Sequence, residues 1–185
     1  MTIVYKEEFV VVLDFLPNGY PFDSRPSFRK GPIAQALSKV NFTLLEITPK
    51  QGVVLQADEE VYIGDGKRDK VHHVVGRINA EKLTQTALSE LEHIVRKLVL
   101  ENPEKFVEFF NKAGSISTRM HQIELLPGIG KKHMWEIIEA RGEKPFESFE
   151  DIKTRVSLIP DPVKSVVKRI LMEINGEDKY RVFVH

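Results

Sequence analysis

The sequence predicts an α+β chain of two domains, a five-stranded β-barrel over residues 1–79 and an all-α domain over 80–176, followed by a tail at 177–185. Three observations carry this. Short β-branched and aromatic runs with turn-rich joints fill the front of the chain. At Ala80 the hydrophobic period changes from two to about 3.6. Near Leu125 a helical segment begins that repeats 33 residues later.

The first strand is expected from Phe9 to Leu16, ending at the turn cluster Pro17-Asn18-Gly19. Phe42–Ile47 is rich in β-formers and stops before Pro49. Val53–Leu55 and Val61–Ile63 flank the acidic turn Asp58-Glu59-Glu60, and Val71–Ile78 supplies a fifth strand. Five short strands in this span suit a small closed barrel better than an open sheet. Residues 17–41 are too long for a hairpin, and Pro32–Lys39 predicts a short helix with proline at its first position.

Beyond Ala80, the residues Leu83, Ala87, Leu88, Leu91, Ile94, Val95 and Leu98 form one apolar stripe of an amphipathic helix. Asn102-Pro103 restarts a helix, with Phe106, Phe109 and Phe110 on its buried side and Gly114 ending it. Residues 115–175 should hold two helical pairs. After a Gly176 cap, Lys179–Val184 alternates and predicts a short strand.

Lys plus Arg and Asp plus Glu number 27 each, so the formal net charge is zero and a uniform polycation is excluded. The cations are nevertheless segregated. Residues 24–45 hold four, 125–135 two and 162–172 three, all without an acid. Glu136, Glu139, Glu143, Glu147, Glu150 and Asp151 offset them elsewhere. With no cysteine, disulfides, thiolate zinc sites and a cysteine nucleophile are ruled out. The start shows no basic n-region before an apolar run, and no stretch nears the ~20 apolar residues of a membrane helix. A soluble, cytoplasmic protein with no membrane partner is expected.

The most specific signal is Leu125-Leu126-Pro127-Gly128-Ile129-Gly130-Lys131-Lys132. Gly128 and Gly130 keep the turn tight and its surface bare. The helix that follows offers unpaired N–H groups and a positive dipole end, so a phosphate can approach the main chain. Lys131 and Lys132 add charge, while Ile129 should tuck inward. In the second copy, Leu158-Ile159-Pro160 matches Leu125-Leu126-Pro127, and Ile123, Met134 and Ile137 meet Val156, Val167 and Ile170. Its turn reads Pro160-Asp161-Pro162, so both glycines are lost and phosphate would be repelled there. Lys164, Lys168 and Arg169 on the following helix still offer contacts to a flanking backbone.

These residues resemble a tandem helix-hairpin-helix domain, with copies at 117–141 and 148–174. The connector, Ile137-Ile138-Glu139-Ala140-Arg141-Gly142 running on to Phe149 and Ile152, is similar to that of bacterial DNA-uptake proteins and excision nucleases. Taken whole, the chain resembles an uncharacterised archaeal family with an OB-like N-terminal barrel and a C-terminal helix-hairpin-helix domain. The resemblance implies nucleic-acid binding, with no established substrate or reaction.

The acid-free stretch contributes Arg25, Arg29, Lys30 and Lys39, with Tyr20, Phe22 and Phe28 interleaved. Loops beside an OB-type barrel supply such cations and rings to single strands. Trp135 is expected in the core. The six histidines lack metal-binding spacing; His72 and His73, adjacent in a strand, should point to opposite faces. Asp151 lies 21 residues beyond Gly130, near the spacing of helix-hairpin-helix glycosylases, yet Ser148-Phe149-Glu150-Asp151 reads better as a helix cap. The expected function is therefore non-catalytic binding of DNA or RNA through Gly128, Ile129, Gly130, Lys131, Lys132, Lys164, Lys168 and Arg169, with Arg25, Arg29 and Lys30 on the barrel. No cofactor, metal or catalytic residue is expected. A protein-docking module is the alternative, and a nucleic-acid-processing enzyme such as a glycosylase stands third.

Overall fold

The computed structural model describes residues 6–185 as a mixed α+β chain with a five-stranded antiparallel sheet and five α-helices. Two compact units divide it, one reaching Ile94 and resuming at Glu173–His185, the other spanning Val95–Met172.

In the first unit the strands are β1 (Phe9–Leu16), β2 (Ile33–Ser38), β3 (Leu44–Pro49), β4 (Glu60–Tyr62) and β5 (Val71–Arg77), ordered β4-β1-β2-β3-β5. Val10, Val12, Ala34, Ala36, Leu45 and Ile47 point to one face and join Leu55, Val61, Ile63 and Val71 in the core. On the other face Val11, Gln35, Leu37, Leu44 and Glu46 are buried too. Burial on both faces explains the continuous apolar run of β1.

Three expectations change here. Pro32–Lys39 is no helix, because Ala34–Leu37 forms the middle strand, paired to β1 and β3. Its small alanines fit beneath the curled sheet, and tertiary pairing overrides their helix propensity. Val53–Leu55 is not a strand; a turn at Gly52 (φ +77) lets Leu55 plug the core as a loop. The sheet also stays open, as a curled half-barrel whose edges β4 and β5 share no ladder. Both edges run opposite to neighbours that are themselves parallel, so β4 and β5 point the same way. Parallel neighbours need a crossover of about a dozen residues or more, and only residues 63–70 join this pair.

The tail forms no strand. The buried Glu173 carboxylate accepts the N–H groups of Val182, Phe183 and Val184 at 2.8–2.9 Å, and the His185 N–H reaches the Asn41 carbonyl at 3.1 Å.

The helices are α1 (Gln85–Glu101), α2 (Pro103–Lys112), α3 (Lys131–Glu143), α4 (Phe149–Arg155) and α5 (Pro162–Ile174). Ala87, Leu91, Ile94, Val95 and Leu98 of the predicted stripe are buried, whereas Leu88 is exposed. α2 follows Asn102 with Pro103 in its first turn, though the Asn102 side chain makes no cap bond. Residues 115–121 hold a small hairpin of β6 (Ser115–Ser117) and β7 (Met120–His121). The first predicted pair therefore opens on a single 3-10 turn, Gln122–Leu125, in place of an α-helix. No helix among the described residues is long and apolar enough to cross a membrane.

Candidate nucleic-acid interface

The 33-residue repeat is visible in burial: Ile123 and Val156, Met134 and Val167, and Ile137 and Ile170 are all buried. Between these anchors the two turns differ. Gly128 sits at φ +85, and a Cβ there would lie 3.3 Å from Cγ of Pro160, so the second turn packs directly on the first. Only glycine meets both demands at once. Ile129, 4% exposed, locks the turn from beneath as expected. Ser165 Oγ donates to the Pro127 carbonyl at 2.9 Å from the start of α5.

Gly130 is the N-cap of α3 and supplies no side-chain cap. The amides of Lys131, Lys132 and His133 are thus left without an intrahelical acceptor at an exposed helix start. The second turn has the opposite arrangement. Asp161 Oδ1 accepts the Val163 N–H at 3.0 Å and the Lys164 N–H at 3.4 Å, so α5 already holds an anion of its own. One helix start is bare and its repeat is occupied.

Lys132, Lys164 and Lys168 are exposed. Lys131 is exposed as well, but its Nζ donates to the Arg119 carbonyl at 2.9 Å and to Glu124 Oε1 at 3.1 Å. That tie fastens α3 to the 3-10 turn and sets the exposed Arg119 beside the hairpin. Sequence reading misses Arg119, which lies in the β6–β7 turn at the start of the first predicted copy. Arg169 departs from the expected surface role. It is 1% exposed, and its Nη1 donates to the Leu125 carbonyl at 3.3 Å, bracing the first turn from inside. Trp135 departs in the other direction: it is 64% exposed, one turn beyond Lys131 and Lys132.

The 3-10 turn has its own capping box. His121 Nδ1 accepts the Ile123 N–H at 3.2 Å while Glu124 Oε2 accepts the His121 N–H at 2.8 Å. Burial, with Arg141 nearby, lowers the His121 pKa. The Glu124 carboxyl is lowered by the His121 amide and by Lys131. Asp151 serves as a cap residue: it accepts the Glu147 N–H at 3.0 Å and pairs with Arg155 at 3.2 Å, which together hold its carboxyl below the ordinary range. Among the described residues no group of three or more His, Asp or Glu could hold a metal ion.

Known proteins share this sequence along almost its whole length. Residues 6–185 match the family described as "Protein of unknown function (DUF655)". The chain belongs to that family. It is 46% identical over 180 residues to "Uncharacterized protein MJ0038" of Methanocaldococcus jannaschii, covering 96% of this chain and 80% of that one. The crystal structure of Af1531 from Archaeoglobus fulgidus, also DUF655, matches with a TM-score of 0.88 at 47% identity, over 97% of this chain and 100% of that one.

In the first unit of this DUF655 chain the predicted cations are unequally available. Arg25 is engaged by Asp23, through contacts of 2.6–3.1 Å that hold the Asp23 carboxyl at about 2. Lys39 pairs with Glu60 at 2.6 Å. Arg29 is exposed and lies 5.7 Å from the centre of the exposed Phe28 ring, and Lys30 is half-buried. Sequence reading does not find a polar network in the same unit. Tyr20 donates to Glu46 at 2.6 Å and accepts from Gln35 at 3.1 Å, and Lys82 donates to Glu46 at 3.0 Å. Burial and Glu46 push the Tyr20 phenol well above its ordinary pKa.

Proposed function

We propose that this chain is a cytoplasmic, non-catalytic nucleic-acid-binding protein whose hairpin turn grips the phosphate backbone, in the manner of a tandem helix-hairpin-helix domain. The observation that carries the reading is the contrast between the two repeats. Asp161 is the anion that the α5 start attracts, and at Gly130 that place is left to an outside anion. A phosphate there would accept main-chain N–H bonds, with Lys132, Lys164 and Lys168 available to flanking phosphates and Lys131 shared with Glu124. Such contacts position a backbone without reading sequence, so binding should be weakly selective and strongly salt-dependent. We also assign the curled sheet an OB-like role, with Arg29 and Lys30 beside Phe28, for DNA or RNA. Arg25 has a weaker claim because Asp23 already holds it.

Trp135 is the only tryptophan, so its fluorescence reports on the hairpin directly. Titrating duplex and single-stranded oligonucleotides should change it, and Lys132→Glu with Lys168→Glu should weaken binding by a similar factor on every sequence. Unchanged affinity would make the hairpin a structural joint. One observation favours a second reading, a protein-docking module: Trp135 and the 88%-exposed Leu158 are large apolar groups on the surface. Capture of a protein that survives nuclease and is lost in Trp135→Ala would support it.

A further inference from the structure

A groove of about 660 Å³ runs beside the sheet of the first unit, within the size range of ligand sites. Ile78, Leu83 and Phe22 are among the apolar residues that line it. Phe22 stacks on Tyr20 with ring centres 4.9 Å apart and planes 19° from parallel, yet remains 73% exposed. One face of the Phe22 ring is therefore covered and the other is open to solvent.

The support beneath it is fixed. Tyr20 is buried and its hydroxyl is held between Glu46 and Gln35. Gln35 in turn donates to the Lys82 carbonyl at 2.8 Å and accepts the Thr84 N–H at 2.9 Å. The Lys82 ammonium lies 4.9 Å from the Tyr20 ring centre and pairs with Glu46 at 3.0 Å. The residues that line the groove are thus bonded to the residues that hold the aromatic pair, and ordering the platform adds little entropy cost on binding.

The charge of the lining is mixed, and Lys82 is already paired with Glu46. Arg77 and Lys82 line the groove and both are exposed, against the single exposed acid Glu81. The Arg77 side chain makes no ion pair or hydrogen bond among the described residues. An open ring face in a groove that Arg77 also lines suits a flat π-system carrying a negative charge.

We infer that this groove takes one unpaired nucleotide of a single-stranded nucleic acid, its base on the open face of Phe22 and its phosphate at Arg77. The inference rests on the nucleic-acid reading and names its single-stranded substrate. A paired base is stacked on both faces inside a duplex and cannot offer one to Phe22.

The test uses the full chain and three probes: an oligothymidine of about a dozen nucleotides, an abasic strand of equal length, and a duplex. Phe22→Ala should weaken the oligothymidine about 5- to 150-fold, the range found for single stacked bases, and leave the abasic strand and duplex unchanged. Arg77→Ala should weaken both single strands. Because Phe22 is exposed, these variants keep the fold. Equal loss on all three probes, or no loss on oligothymidine, overturns the inference, as does Phe22-dependent binding of an aromatic peptide with none of oligothymidine. Gly130→Asp separates the two claims. Loss of duplex binding with single-strand binding intact defines the hairpin alone, and if Phe22→Ala gives the reverse pattern both stand.

Discussion

Replacing Gly130 with aspartate should make the protein more stable and a poorer binder. At Gly130 the backbone is at φ −96, ψ −170, ordinary for a helix cap, and nothing lies within 4 Å of the place a Cβ would take. Aspartate therefore fits and can cap α3 as Asp161 caps α5. The cap itself is worth a few tenths of a kcal/mol over glycine, its charge at the dipole end about 0.3–1, and the loss of glycine's unfolded freedom about 0.4–1. These contributions overlap, so the expected gain is about 0.5–1.5 kcal/mol, or about 1–6 °C in Tm for a chain of this size. Binding moves the other way. A carboxylate about 4 Å from a phosphate repels it by roughly 1 kcal/mol in a water-like medium and about 4 near a protein surface, a loss of about 5- to 1,000-fold. Thermal unfolding followed by circular dichroism and Trp135 fluorescence titration with a duplex measure both. A raised Tm with unchanged affinity would refute the anion site; a lowered Tm would refute the local geometry.

Arg155 donates to the Ala140 and Lys144 carbonyls at 2.5 and 2.7 Å, closing the end of α3, and lies 4.7 Å from the Phe146 ring centre. Arg155→Ala should cost about 2–3 kcal/mol and lower Tm by about 4–12 °C in a thermal melt. Leu158 is a non-glycine residue at φ +55 with its side chain in solvent, so Leu158→Asn should raise stability by about 0.5–1 kcal/mol in urea unfolding. His121 has a lowered folded pKa, so the unfolded chain binds the proton more readily. Its contribution is complete above the unfolded value of about 6.5 and is lost as pH falls from there toward the folded pKa. Unfolding curves across this range should show that slope, and His121→Asn, which keeps a cap acceptor, should flatten it.

The repeat is legible in the sequence because its anchors, from Ile123 and Val156 to Ile137 and Ile170, bury at the same places in both copies. The turn of the first copy can be read for a related reason: at Gly128 a positive φ and the close approach of Pro160 together demand glycine. Sequence reasoning fails where tertiary context decides. Ala34–Leu37 has helix-forming residues, and only two flanking strands make it a strand. Charge alone groups Arg169 with Lys168, though neighbours on a helix point about 100° apart. Ser165 and Arg169, four apart, share the inward face with the first turn, whereas Lys164 and Lys168 share the outward one. Residue type alone sends Trp135 to the core, while its spacing from Lys131 and Lys132 puts it on their exposed face. The Tyr20–Gln35–Glu46–Lys82 network joins residues far apart in the chain and leaves no local signal.

The central claim is a grip on phosphates by the hairpin, and the salt dependence of duplex binding tests it most directly. Four exposed cations, Lys131, Lys132, Lys164 and Lys168, predict a log–log slope of affinity against salt of about −3.6 for a duplex, becoming shallower by about 0.9 when Lys132 is replaced by alanine. A slope near zero, unchanged by that substitution, would contradict it.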